Sequence, residues 1–170
     1  MQNELPKRKQ IRLKNYDYSE NGYYFITICT HNRQPLFFKP VGATLCGRPG
    51  NPDKMIVKWL NEIKNKYEKT TVCNYVIMHD HIHFIISKMG GHAGPPLQDI
   101  ISWFKTMTTN DYINNVKTGN YMAFDKKVWQ RSFYEHVIRD EADYKKILEY
   151  MNTNVLKREI KERSLQKEGI

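Results

Sequence analysis

Residues 75–87, YVIMHDHIHFIIS, constrain the fold of this chain more than any other segment. The run is too short for a globular helix of normal length once its polar centre is removed, and its β-branched and aromatic content suits strands. It reads as the meeting of two strands, VCNYVIM (72–78) and IHFIISK (82–88), joined tightly at His79-Asp80-His81 and paired as a hairpin. Alternate strand side chains share a face, so His79, His81, His83 and Ile85 point one way and Asp80, Ile82, Phe84 and Ile86 the other. The second set is the expected core face. Imidazoles two residues apart have Cα atoms roughly 6.5 Å apart, close enough for both rings to converge on one metal at about 2.1 Å. A polar ring buried without a partner costs about 1–3 kcal/mol, so a His-x-His pair inside an apolar run calls for a ligand.

The rest of the chain supplies the partners of that hairpin. NGYYFITICT (21–30) follows an Asn-Gly turn signal and predicts a strand at 23–30. Three prolines and three glycines make 31–50 an irregular loop with room for a short hairpin. A helix then opens at Asn51-Pro52-Asp53 and repeats Met55, Trp59, Ile63 and Tyr67 every fourth residue. After a Gly/Pro break, Leu97, Ile100, Ile101, Phe104 and Met107 predict a second helix. KVWQRSFYEHVI (127–138) has strand composition, and 139–163 begins with acidic residues suited to a helix start. The order βαββαβα implies an α+β domain, a ferredoxin- or RRM-like antiparallel sheet with helices packed on one face. At 170 residues the whole chain, 1–170, is expected to be a single domain preceded by a basic arm, 1–20.

Charge narrows the partner. Lys and Arg number 27 against 18 acidic residues, giving +9, which favours a polyanion and nucleic acid above all. Lys7, Arg8, Lys9, Arg12 and Lys14, offset only by Glu4, concentrate the excess in the arm, where phosphate or minor-groove contacts are expected. Tyr23, Tyr24, Trp103, Trp129 and Phe133 are candidate base-stacking rings, most of them expected in the core. Cys29, Cys46 and Cys73 are odd in number and form no CxxC pair, which suits a reducing cytoplasm. With neither a signal-like apolar stretch nor a run of roughly 18 apolar residues, a cytoplasmic protein without a membrane partner is expected.

On the last helix Tyr144, Ile147, Leu148, Met151 and Val155 form the packing stripe, which leaves Tyr150 at its flank with Asn154 one turn later on the same side. Tyr134, on one strand face with His136, is the rival tyrosine; Gln130 and Glu135 are weaker candidates.

IMHDHIHFII resembles the MPNHhHhh block of the HUH single-tyrosine transposases. RKQIRLKNYDYSENGYYFITICTHNR, FKTMTTN and VWQRSFYEHVIRDEADYKKILEYMNTN are similar to the opening, second-helix and closing blocks of the REP-associated tyrosine transposases. His79 and Asp80 stand where that family carries Pro and Asn, and Val155 stands where it carries Pro after Asn. The resemblance implies that His81, His83 and Asn154 ligate Mg²⁺ or Mn²⁺ and that Tyr150 is the nucleophile. It implies cleavage and rejoining of single-stranded DNA beside hairpins, REP-like palindromes, through a 5′-phosphotyrosine. Some relatives work as homodimers with shared sites and others as monomers, and both remain open. Two other functions compete: a non-catalytic nucleic-acid-binding regulator on the same sheet, and a metal-dependent hydrolase of small substrates, which leaves the basic arm unexplained.

Overall fold

The structure, a computed structural model, describes residues 16–37, 51–90 and 94–167. The expected element order is found: β1 (Gly22–Cys29), α1 (Pro52–Lys66), β2 (Thr70–Ile77), β3 (His81–Lys88), α2 (Leu97–Lys117), β4 (Tyr134–Ile138) and α3 (Glu141–Lys167), with a short 3₁₀ turn at His31–Arg33. All pairings are antiparallel, in the order β2-β3-β1-β4, so β1 and β3 lie at the centre. The arm residues Lys7, Arg8, Lys9, Arg12 and Lys14, together with Cys46 and positions 38–50 of the loop, lie outside the described residues.

Each element forms for a local reason. Asn51 accepts a hydrogen bond from the Asp53 amide, and Pro52 takes the first helical position, so α1 begins as its cap sequence predicts. The β2–β3 turn closes with the Met78 amide donating to the His81 carbonyl, 2.8 Å. One face of the sheet carries Tyr24, Ile26, Ile28, Ile82, Phe84 and Ile86, all fully buried under α1 and α2. Each such side chain contributes about 1.5–3 kcal/mol through burial. Trp59 of α1 donates its indole N–H to Asp111 of α2, 2.8 Å, and so ties the two helices together.

The expectation that every helix packs on one face holds for α1 and α2 and fails for α3. Phe25, Val76 and Ile85 project from the opposite face and form a smaller core with Ile138 and Met151, flanked by Tyr144, Ile147 and Leu148. The stripe on α3 therefore has its own apolar floor, which is why Ile85 and His83 are as buried as their neighbours on the core face. Val137 and Ile138 end a strand shorter than expected. Residues 130–132 fall outside β4: the Gln130 amide still donates to the Cys29 carbonyl, 2.9 Å, but the carbonyls of all three accept from Lys105 Nζ at 2.9–3.3 Å. Trp129 instead makes an isolated bridge to Thr30 and donates its indole N–H to the buried Thr108 hydroxyl, 2.9 Å. Burial pulls the Lys105 ammonium down to about 8.

Candidate active site

The register of the sheet builds the floor of the site on the α3 side. His81 lies opposite Cys29, and in the next row Thr27 pairs with both His83 and Tyr134. The row after that joins Ile85, Phe25 and His136. Over this floor α3 lays Tyr150, whose ring stands edge-on to His83 with centroids 5.3 Å apart and to Phe25 at 6.1 Å. Asn154 follows one turn later. All of these residues except Ile85 line an open cleft of about 800 Å³.

The two imidazoles converge. His81 Nε2 and His83 Nε2 are 3.1 Å apart. Each ring is oriented from behind: His81 Nδ1 lies 2.6 Å from the Asp80 carboxylate and His83 Nδ1 2.8 Å from the Thr27 hydroxyl. A carboxylate accepts only, so His81 carries its proton on Nδ1 and turns the Nε2 lone pair to the cleft. An imidazole whose far nitrogen is held by a carboxylate is the usual arrangement behind a metal ligand. Two bonds of about 2.1 Å meeting near a right angle subtend a nitrogen separation of about 3 Å. Asn154 lines the same cleft, and its amide nitrogen, a donor, is buried without a hydrogen-bond partner among the described residues, so the amide oxygen is the end that would serve a cation. Two imidazoles and one amide oxygen suit a borderline-to-hard divalent cation. The residues present therefore fit the ion.

Electrostatics keep the pair ready. Burial, and then the charges of His81 and Arg33, push the His83 imidazole down to about 3, so it is neutral and able to ligate at neutral pH. Burial raises the Asp80 carboxyl, but the His81 hydrogen bond and the His81, His79 and Arg33 charges outweigh it, and the net displacement is downward. On the other flank His136 Nε2 meets Asp143 at 2.8 Å, and that contact lowers the Asp143 carboxyl.

The structure brings His81, His83, Tyr150 and Asn154 together and treats the other candidates unevenly. His79 leaves the strand for the turn, its side chain 38% exposed and 3.7 Å from the Asp80 carboxylate, instead of sharing the His81 face. Tyr134 also lines the cleft but sits on β4, two strands from His83, roughly 9–10 Å away, against the direct ring contact made by Tyr150. Gln130 lines the cleft, whereas Glu135 is buried opposite Ile26 on the other face. Among the stacking candidates Tyr24 and Trp129 are core, Trp103 packs between Trp59 and Tyr67, and Tyr23 packs on Tyr144. Phe133 alone of the five reaches the cleft. Thr27, Arg33 and Lys146 fall within the family-like blocks but were not singled out by the sequence, because their place in the cleft comes from strand register and helix docking. No described helix is long and apolar enough to cross a membrane.

Comparison with known proteins places the chain in a family and matches its fold. Residues 18–154 match the family described as "Transposase IS200 like". The chain is 35% identical over 162 residues to an uncharacterized protein of Haemophilus influenzae, covering 86% of this chain and 87% of that protein. It is 24% identical to a second H. influenzae protein, provisionally named a REP-associated tyrosine transposase, across 85% of this chain and 77% of the other. In fold it is similar to a solved REP-associated tyrosine transposase bound to a REP hairpin, with a TM-score of 0.59 at 20% identity, covering 86% of this chain and 73% of that one.

Proposed function

Because this chain belongs to the IS200-like transposase family, we propose that it is a strand transferase for single-stranded DNA lying beside a hairpin, with Tyr150 as nucleophile and His81, His83 and Asn154 as ligands of Mg²⁺ or Mn²⁺. The observation that carries this reading is the edge-on contact of the Tyr150 phenol with His83, one of two converging imidazoles; among the described residues no other phenol makes such a contact. The +9 charge and the hairpin DNA held by the structural relative support the substrate class.

In this reading Asp80 and Thr27 orient the two rings so that both Nε2 atoms converge at the cleft. A bound divalent cation supplies Lewis-acid polarisation of the phosphodiester and a template for in-line attack. Tyr150 forms the new bond from its oxygen to phosphorus and gives up its phenolic proton. The bond from phosphorus to the 3′ oxygen breaks, and that oxygen takes up a proton and leaves as a 3′-hydroxyl. The 5′-phosphotyrosine keeps the energy of the broken ester, so a second 3′-hydroxyl can reverse the step without ATP. Phe25, in edge contact with the phenol, and Ile147 give the cleft an apolar wall. The test is incubation of the full chain with a DNA hairpin bearing single-stranded flanks and Mn²⁺, followed by a denaturing gel. A protein-DNA adduct present in the native sequence and in Tyr134→Phe, and lost in Tyr150→Phe, is expected. An adduct that survives Tyr150→Phe overturns the assignment, and binding with no adduct in any variant favours the non-catalytic regulator.

A further inference from the structure

The turn that follows β1 is held in a conformation its sequence does not prefer. Asn32 and Arg33 are consecutive left-handed residues, with φ of 51° and 57°. Asn tolerates that region, but for a long side chain such as Arg it is uncommon. The turn is fixed from two sides. The Thr30 amide donates to the Asp80 carbonyl at 2.8 Å, and the Thr30 hydroxyl shares its proton between the Gln34 carbonyl, 2.8 Å, and the Asp80 carbonyl, 3.0 Å. On the opposite side the His31 amide donates to the Val128 carbonyl, 2.9 Å, and the Gln34 side chain accepts from the Asp125 amide, 2.6 Å. Backbone strain that the surroundings over-determine in this way points to a job for the residue that bears it.

What the strain secures is the direction of the Arg33 side chain. It enters the cleft beside His81. There NH1 lies 3.4 Å from Asp80 Oδ2 and 3.3 Å from His81 Nδ1. Because His81 Nδ1 already donates to Asp80, its closeness to Arg33 is proximity and not a hydrogen bond. One long, single-pronged contact by a side chain that is 54% exposed is a weak reason to strain a backbone. Asp80 nevertheless does two things at once, orienting the His81 ring with Oδ1 and restraining the guanidinium with Oδ2. The remaining donors of Arg33 have no partner among the described residues, and Arg33 lines the same cleft as His83 and Tyr150. Of the cleft's permanent cations, Arg33 and Lys146, only Arg33 stands on the His81 side.

Resting on the reading of this cleft as a strand-transfer site, we propose that Arg33 is a substrate-contacting residue whose fork binds a non-bridging oxygen of the phosphodiester seated beneath Tyr150, with Asp80 as its positioning residue. A guanidinium fits because its planar, paired donors match phosphate oxygens and its charge does not depend on pH. It would act on the ground state as well as on charge developing during attack, so its loss should appear in binding even when no chemistry occurs.

That separation sets the experiment. Binding of the full chain to the flanked DNA hairpin is measured in EDTA as a function of salt, with neutral methylphosphonates placed at one flank position at a time. Arg33→Gln should weaken binding about tenfold and reduce the salt slope by about 0.7, the value of one single-strand phosphate contact. Arg33→Lys, which keeps the charge without the fork, should retain the slope and recover only part of the affinity. One methylphosphonate position should weaken the native protein and leave Arg33→Gln unaffected. Unchanged affinity in Arg33→Gln, or the absence of any such position, overturns the proposal. Thermal melting of both variants reports folding, and if Arg33→Gln melts early the slope and position dependence of Arg33→Lys decide. If instead Tyr150→Phe keeps its adduct, the nucleophile assignment fails while the Arg33 result still stands or falls on affinity alone.

Discussion

The buried imidazole of His83 should make this protein lose stability in acid by an amount the structure fixes. Burial, then the His81 and Arg33 charges, hold its folded-state pKa at about 3, whereas the unfolded chain should titrate near its model value of 6.5. The unfolded state therefore binds more protons throughout that interval, and stability falls as pH is lowered from about 6.5 toward 3 and levels off below. At about 1.4 kcal/mol per pH unit the whole span is worth about 5 kcal/mol, and the part lost by about pH 4.5 is about 2.7 kcal/mol. Other groups titrate in the same range, so the useful quantity is a difference. His83→Asn can keep a hydrogen bond to Thr27, and it removes the titration. Urea unfolding of both proteins in EDTA, at about pH 7.5 and 4.5, should show the gap between them narrowing by about 2.7 kcal/mol as pH falls. A gap that stays constant within about 0.5 kcal/mol would refute the claim that this ring is kept neutral by the fold.

Saturating Mn²⁺ should raise the thermal midpoint by several degrees, since a ligand at 100 times its Kd adds about 2.7 kcal/mol, and scanning fluorimetry should find that rise lost in His83→Asn and reduced in Asn154→Ala. Thr108→Val leaves the Trp129 indole N–H without its acceptor in a buried place and should cost about 1–3 kcal/mol, measured by urea unfolding, while Thr106→Val on the exposed side of the same helix stays within about 0.5 kcal/mol. Met151→Ala removes the one buried anchor among the described side chains of α3 and should cost about 2–5 kcal/mol. Hydrogen exchange should show amides of α3 opening while those of β1 and β3 remain protected.

Much of the fold was legible because its signals are local. The Asn51-Pro52-Asp53 cap, the alternation through Tyr24, Ile26 and Ile28, and the tight turn at 79–80 each follow from a few neighbouring residues. His81 and His83 were equally plain, since period-two alternation alone puts them on one face. The second apolar layer was not, because burial of Ile85 and His83 depends on where a helix more than fifty residues later comes to rest. The shortened β4 has the same kind of cause: Lys105, on α2, claims the carbonyls that would have continued the ladder. Tyr150 and Asn154 could be set on one side of α3 by helical spacing, but their position over the imidazoles is a matter of docking. Arg33 closes the block similar to the family's opening, but no periodicity or local chemistry singled it out from its neighbours.

The cleft is thus split between two bodies with unequal grip. The histidines belong to central strands clasped by the large α1–α2 interior, whereas Tyr150 and Asn154 ride on a rod fastened by the small patch around Met151. Loosening that rod would part Tyr150 and Asn154 from the two imidazoles long before the sheet itself yielded, and would widen the cleft while leaving the scaffold intact.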